Sequence, residues 1–163
     1  MQKIHPFLWF DGQAEEAAEL YCSLFPDSKV LSVTRYPPGS PGGMAGKAMT
    51  VEFVLSGQRF TALNGGPNFK FTEAVSFVVD CEDQTEVDRY WTALTADGGA
   101  ESQCAWLKDR FGVSWQIVPK ALPRLMSDPD PARSQRVVQA MLKMSRIIVA
   151  DLEAAHRGES TPA

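Results

Sequence analysis

Three cysteines in 163 residues, Cys22, Cys81 and Cys104, are an odd number with no CxxC spacing. That pattern excludes a disulfide framework and a paired-thiol metal knuckle, and it points to free thiols in a reducing, cytoplasmic setting. Histidine is scarcer still, with His5 and His156 alone. No Lys/Arg cluster occurs, and the formal net charge is −4. Nucleic acid and anionic membrane surfaces are therefore not expected as partners. No apolar run reaches the roughly 18 residues that a membrane helix needs. The N-terminus reads straight into a strand without a signal-peptide pattern. Hydrophobic residues make up 44% of the chain, enough for a core that needs neither metal nor disulfide to hold it.

What is present is alternation. In WLKDRFGVSWQIVP (106–119), a tight turn from Lys108 to Gly112 feeds a strand over 113–118 that Pro119 closes. Val113, Trp115 and Ile117 point one way; Ser114, Gln116 and Val118 point the other. One face suits packing under helices, and the other offers a hydroxyl and an amide to a cavity.

The rest of the chain follows in order. KIHPFLWF (3–10) reads as an apolar strand, and Asp11 is placed to cap a helix over 13–25. Its buried stripe is Ala17, Leu20, Tyr21, Leu24 and Phe25. A strand over 29–36 precedes PPGSPGGMAG (37–46), a surface loop and candidate lid in which no packed element is expected. Strands over 48–55 and 58–64 are joined by the hairpin signal Ser56-Gly57. After the connector 65–72, AVSFVVD (74–80) is nearly all apolar and reads as a central strand. Asp83 with Glu86 resembles a capping box for a helix carrying Val87, Trp91 and Leu94, which ends at Asp97-Gly98-Gly99. Short strands around 101–107 and 113–118 follow, then a short helix over 120–126. Asp130 and Pro131 open one long helix to about 156, striped by Val137, Met141, Met144, Ile148, Leu152 and Ala155. His156 is expected at its surface end, and residues 158–163 are expected to form a disordered tail.

The two halves repeat. Each runs strand, helix, strands, with a closing hairpin. His5 stands six residues before Asp11, and Ala74 stands six before Asp80. Gly57 leads to Phe60-Thr61, and Gly112 leads to Trp115-Gln116. The expected architecture is α+β: two βαβββ modules, about 3–64 and 74–119, forming a curved eight-stranded mixed sheet with a cleft. Helices over 120–156 complete a single domain of residues 1–157. The repeat places four residues toward the cleft: His5, Thr61, Ala74 and Gln116.

PFLWFDGQAEEAAELY (6–21), LNGGPNFKF (63–71), AVSFVVDCEDQTEVDRYW (74–91) and WLKDRFGVSWQIVP (106–119) resemble the PhnB-like branch of the vicinal oxygen chelate superfamily. That superfamily includes glyoxalase I, bleomycin resistance proteins and extradiol dioxygenases. The branch is often labelled demethylubiquinone 3-methyltransferase-like. The resemblance extends through AMLKM (140–144). It implies that the four cleft positions correspond to the metal ligands of metal-dependent relatives. Here they read as one imidazole, a hydroxyl, a methyl and an amide. Divalent metals of this type want three or four N/O donors with carboxylates among them, so no metal and no cofactor is expected.

The methyl transfer in the label calls for a Gly-rich loop opening a helix after a first parallel strand. The glycines here follow no GxGxxG spacing. Cys104, beside Trp106, is the candidate nucleophile. Phe69, Phe71 and Trp106 are candidate pocket walls with Asn64, while Phe60 and Trp115 are expected under the helices. The resulting expectation is a small-molecule-binding cleft in a homodimer, with glyoxalase-type isomerase or lyase chemistry, or methyl transfer, as the rival reading.

Overall fold

Alternation in the sequence carries directly into the first sheet of the computed structural model, which describes residues 2–159. In β3 (Ala48–Leu55), Val51, Phe53 and Leu55 are buried, while Thr50, Glu52 and Val54 between them are half-exposed. β4 (Gln58–Asn64) pairs antiparallel with β3 and buries Phe60, Ala62 and Asn64 on the same side. The turn between them is Ser56-Gly57, with φ of 45° and 84°, the doubly left-handed geometry favoured in two-residue hairpins.

β1 (Phe7–Phe10) and β2 (Lys29–Arg35) complete a four-stranded mixed sheet in the order β1-β4-β3-β2, with β1 parallel to β4. α1 (Ala14–Leu24) lays Ala14, Ala17, Ala18 and Tyr21 on the apolar face. There Tyr21 meets Phe53, and Phe53 stacks on Phe60 at 5.3 Å. Leu20 and Leu24, expected in the buried stripe, are only half-buried. These elements form one compact unit, Met1–Phe71.

Two expectations for this unit are corrected. The first strand begins at Phe7, so His5 and Pro6 precede it. Asp11 does not cap α1. Gln13 holds the cap position without a side-chain bond, and the Ala14 N–H donates instead to Asn64 Oδ1 at 2.8 Å. The 37–46 loop lies on the surface as expected, with no buried residue, and holds a 3₁₀ turn, Pro41–Gly43. Gly46 N–H returns to the Tyr36 carbonyl at 3.0 Å.

The second unit, Thr72–Ala163, repeats the plan. β5 (Phe77–Cys81), α2 (Gln84–Thr95), β6 (Ala100–Glu101), β7 (Trp106–Lys108) and β8 (Ser114–Pro119) give a sheet ordered β5-β8-β7-β6, with β5 parallel to β8. Asp83 caps α2 by accepting from Glu86 N–H at 3.0 Å, and Glu86 Oε2 reaches back to Glu82 N–H at 2.8 Å. Trp115 and Ile117 are buried under α2 and its neighbours, as the alternation requires.

β5 is not central. It forms an edge of this unit's sheet, and Val78 is 55% exposed. An apolar run reports hydrophobicity and not neighbours, so it does not distinguish a centre from an edge.

The long C-terminal helix is two. After α3 (Ala121–Met126), α4 (Pro131–Met141) stops and α5 (Val149–Arg157) begins after a seven-residue break at 142–148. No Pro or Gly causes the break. Tertiary bonds do: the Met144 and Ser145 carbonyls accept from Cys104 and Ala105 N–H at 2.8 and 2.9 Å. Gln84 also accepts from Val149 N–H and donates to the Ile147 carbonyl. The fold-back buries Val137, Ile147 and Leu152 with Leu122 and Leu125, and Met141 and Met144 pack against that cluster. His156 is half-buried, with Nε2 2.7 Å from Asp128 Oδ2. Of the expected tail, Gly158 and Glu159 close α5 by backbone bonds, and 160–163 lie outside the described residues. Among the described residues, no helix is long and apolar enough to cross a membrane.

Candidate functional site

The face of each sheet turned away from its helix carries the polar positions. In the first unit, Thr61 stands on that face of β4, opposite Glu52 on β3. Its hydroxyl lies 3.1 Å from His5 Nε2, and its N–H donates to the Pro6 carbonyl at 3.0 Å. Glu52 is engaged in turn by Arg59 at 2.9 Å. Trp9 shares this face and meets Phe69 edge-on at 4.8 Å, and its indole N–H donates to the Gly66 carbonyl at 2.8 Å. Gly65 leaves room for that ring, since a Cβ there would lie 2.4 Å from it.

In the second unit, Gln116 stands at the matching place on β8. Its Nε2 donates to Ser76 Oγ at 2.9 Å, and Trp106 is its cross-strand neighbour on β7. Lys108, next along that face, pairs with Glu73. The ammonium, chiefly through its hydrogen bond, holds the Glu73 carboxyl below its usual range.

The register corrects one of the four repeat positions. Thr61 lies opposite Phe7 in the parallel ladder, and Gln116 lies opposite Val78. Two residues back along each strand, His5 corresponds to Ser76, not to Ala74. Ala74 is exposed, and its N–H bonds only to Thr72 Oγ1, at 3.3 Å. The Asp11/Asp80 anchor misleads because the strand-to-helix turns differ between the halves. The hairpin anchor, which gave Thr61 and Gln116, agrees with the ladder. The structure thus brings together two equivalent pairs, His5 with Thr61 and Ser76 with Gln116.

Other expected site residues go elsewhere. Asn64 is 4% exposed, and both ends of its amide are engaged: Oδ1 accepts from Ala14 N–H, while Nδ2 donates to the Ala48 carbonyl at 3.0 Å. It ties α1 to the sheet. Phe71 packs on buried Phe10 at 5.1 Å, so it joins the core side, whereas Phe69 is 64% exposed beside Trp9. Cys104 precedes β7 in a left-handed turn, φ 56°, followed by Ala105 at 75°, and its backbone is held by Met144. Trp106 is on the polar face, opposite Gln116. Sequence reasoning missed Ser76, Glu52, Arg59 and the Glu73–Lys108 pair. Ser76 alone had a signal, the hairpin register.

The donor set at the repeat positions is one imidazole, two hydroxyls and an amide, with no carboxylate. That set does not fit a divalent metal of the oxygen-chelating kind. Among the described residues, no group of three His, Cys, Asp or Glu side chains converges.

The thiols give a direct check on burial. Burial first, then the Glu86, Asp80 and Asp83 carboxylates, push Cys81 up to about 12 from 9.0. Cys81 is expected to escape iodoacetamide at pH 8 in the native protein and to react in urea, read by peptide mass spectrometry. Native labelling would contradict its burial. The same raised value stabilises the fold below about pH 9, and that contribution is lost as pH climbs toward 12.

The comparisons with known proteins agree with this architecture. The model of the family described as 3-demethylubiquinone-9 3-methyltransferase matches residues 2–118. A Bacillus cereus structure described as a putative 3-demethylubiquinone-9 3-methyltransferase, PhnB protein, is 37% identical, with TM-score 0.66. The match covers 72% of this chain and 99% of that one. Pseudomonas aeruginosa protein PA1353 is 21% identical, with TM-score 0.61, over 73% of this chain and 98% of its own. The fosfomycin resistance protein FosX of Listeria monocytogenes shares the fold at 15% identity and TM-score 0.50, over 72% and 94%. No curated protein matches.

Proposed function

Starting from a chain that belongs to the 3-demethylubiquinone-9 3-methyltransferase family, with the α+β glyoxalase/bleomycin resistance fold, we propose that it binds a small molecule against the polar faces of its sheets. The observation that carries this reading is the repeated pair, His5–Thr61 and Ser76–Gln116, at equivalent places in the two units. Both pairs are part-buried side-chain bonds on faces that also carry a half-exposed indole, Trp9 in the first unit and Trp106 in the second. A mostly apolar wall with a few placed polar groups is the usual composition of a ligand site.

Methyl transfer, which the family description names, and glyoxalase-type metal chemistry are the rival readings. The donor set and the absent glycine fingerprint speak against both. Thermal-shift and native mass-spectrometric screening against small aromatic metabolites is expected to yield a binder whose affinity falls at least tenfold in His5→Ala or Gln116→Ala. A hit indifferent to both substitutions would remove the polar faces from consideration. Stoichiometric metal in protein purified without chelator, or saturable adenosylmethionine binding, would favour a rival.

The reading extends to assembly and setting. Each sheet ends in an edge strand, β1 or β5, beside large exposed apolar side chains: Ile4 at 88%, Phe7 at 57%, Val75 at 69% and Val78 at 55%. Such edges and patches invite a second copy, so the protein is expected to be a homodimer. Sedimentation at micromolar concentration should show the dimer; monomer alone would refute it. The three free thiols suit a reducing cytoplasm.

A further inference from the structure

One buried hydroxyl in the second unit has no partner. Ser114 is 1% exposed, and its Oγ makes no hydrogen bond among the described residues. Native structures rarely leave such a group unsatisfied, and one of the standing explanations is a bound species supplying the bond. Ser114 lines a hollow of about 210 Å³, together with Glu73, Glu101, Trp106 and Lys108.

The chemistry of the walls selects the occupant. Lys108 is already neutralised by Glu73. Glu101 uses Oε1 to accept from the Trp91 indole N–H at 2.7 Å, which leaves its charge unbalanced by any cation lining the hollow. The hollow therefore carries a net negative charge beside an indole, the aromatic that attracts cations best. Water occupies roughly 30 Å³ in the liquid, so the space suits about seven heavy atoms.

We propose that this hollow binds a small primary ammonium ion with a flat apolar body, its N–H groups donating to Ser114 Oγ and to the carboxylates while its body lies along Trp106. The inference rests on the small-molecule reading above and gives it a ligand class.

The test uses three phenyl probes of similar size and different charge on the full chain at pH 7: benzylamine, benzyl alcohol and benzoate, followed by calorimetry and ligand-observed NMR. Benzylamine is expected to bind at least tenfold more tightly than either of the others. Ser114→Ala should weaken it about fivefold while leaving the melting temperature unchanged or higher, because the hydroxyl removed had no partner in the fold. Trp106→Leu should abolish it. Benzoate binding as well as benzylamine, wild-type affinity in Ser114→Ala, or no benzylamine binding at 10 mM would each overturn the proposal. If it fails while screening hits still depend on His5 or Gln116, the broader reading stands. If those hits are indifferent too, both fall.

Discussion

Asp109→Ala will destabilise the second unit by about 3–5 kcal/mol, a large share of the stability of a domain this size. Asp109 is 3% exposed and sits in the turn that starts β8. Its Oδ1 accepts from Phe111 N–H at 2.9 Å and Val113 N–H at 3.0 Å, and its Oδ2 accepts from the Trp115 indole N–H at 2.9 Å. Truncation strands three donors, two of them buried with their residues. Each unmet buried donor costs about 1–3 kcal/mol, which outweighs any relief from removing a carboxylate that is already well solvated by those bonds. Asp109→Asn should fall between wild type and Ala. It can still accept at one oxygen, but its NH₂ then confronts the indole N–H. Urea unfolding followed by tryptophan fluorescence reads the series. A loss under about 1 kcal/mol in Asp109→Ala would show that the turn is held by packing alone.

Asn64→Ala comes second, with an expected loss of about 2–4 kcal/mol. The side chain joins Ala14 N–H, at the start of α1, to the Ala48 carbonyl, at the start of β3; the main-chain carbonyl of Asn64, which the substitution keeps, accepts from Tyr36 Oη at 2.6 Å. Asn64→Asp keeps the cap but sets an oxygen against the Ala48 carbonyl, so it should not recover the loss. Denaturation midpoints decide whether Asn64 works as a clamp. If Asn64→Ala is as stable as wild type but fails to bind a screened ligand, Asn64 returns to the site as a ligand contact.

These two residues show where sequence reading works and where it stops. The β3 and β4 boundaries are legible because alternation and Ser56-Gly57 are local signals, and local geometry obeys them. So is the Asp83–Glu86 cap, whose partners are three residues apart. Asn64 bonds to residues 50 and 16 positions away, and nothing in its neighbourhood says whether it faces a cavity or a helix end. The split of the last helix is hidden for the same reason, because its cause is a pair of carbonyls meeting residues some 40 positions earlier. β5 looked central because burial was inferred from hydrophobicity, while the exposed Val78 belongs to an edge. The site was half legible. Thr61 and Gln116 followed from a hairpin whose spacing is fixed by strand geometry. Ala74 followed from an acidic residue after a strand, a position whose distance from the strand is free to vary.

The break at 142–148 bears on how this chain tolerates change. The C-terminal helices lie beyond residue 118, where the family match ends, and the loop joining them meets the start of β7 through the main-chain bonds of Cys104 and Ala105 to Met144 and Ser145. Those bonds come from the main chain, so Met144 and Ser145 can change without breaking them. Cys104 and Ala105 are more constrained: both hold left-handed φ, 56° and 75°, and Ala105 is 1% exposed, so β-branched or bulky residues would strain the suture there. Proline at 104 or 105 would cut it, because it removes the donor and cannot adopt that φ.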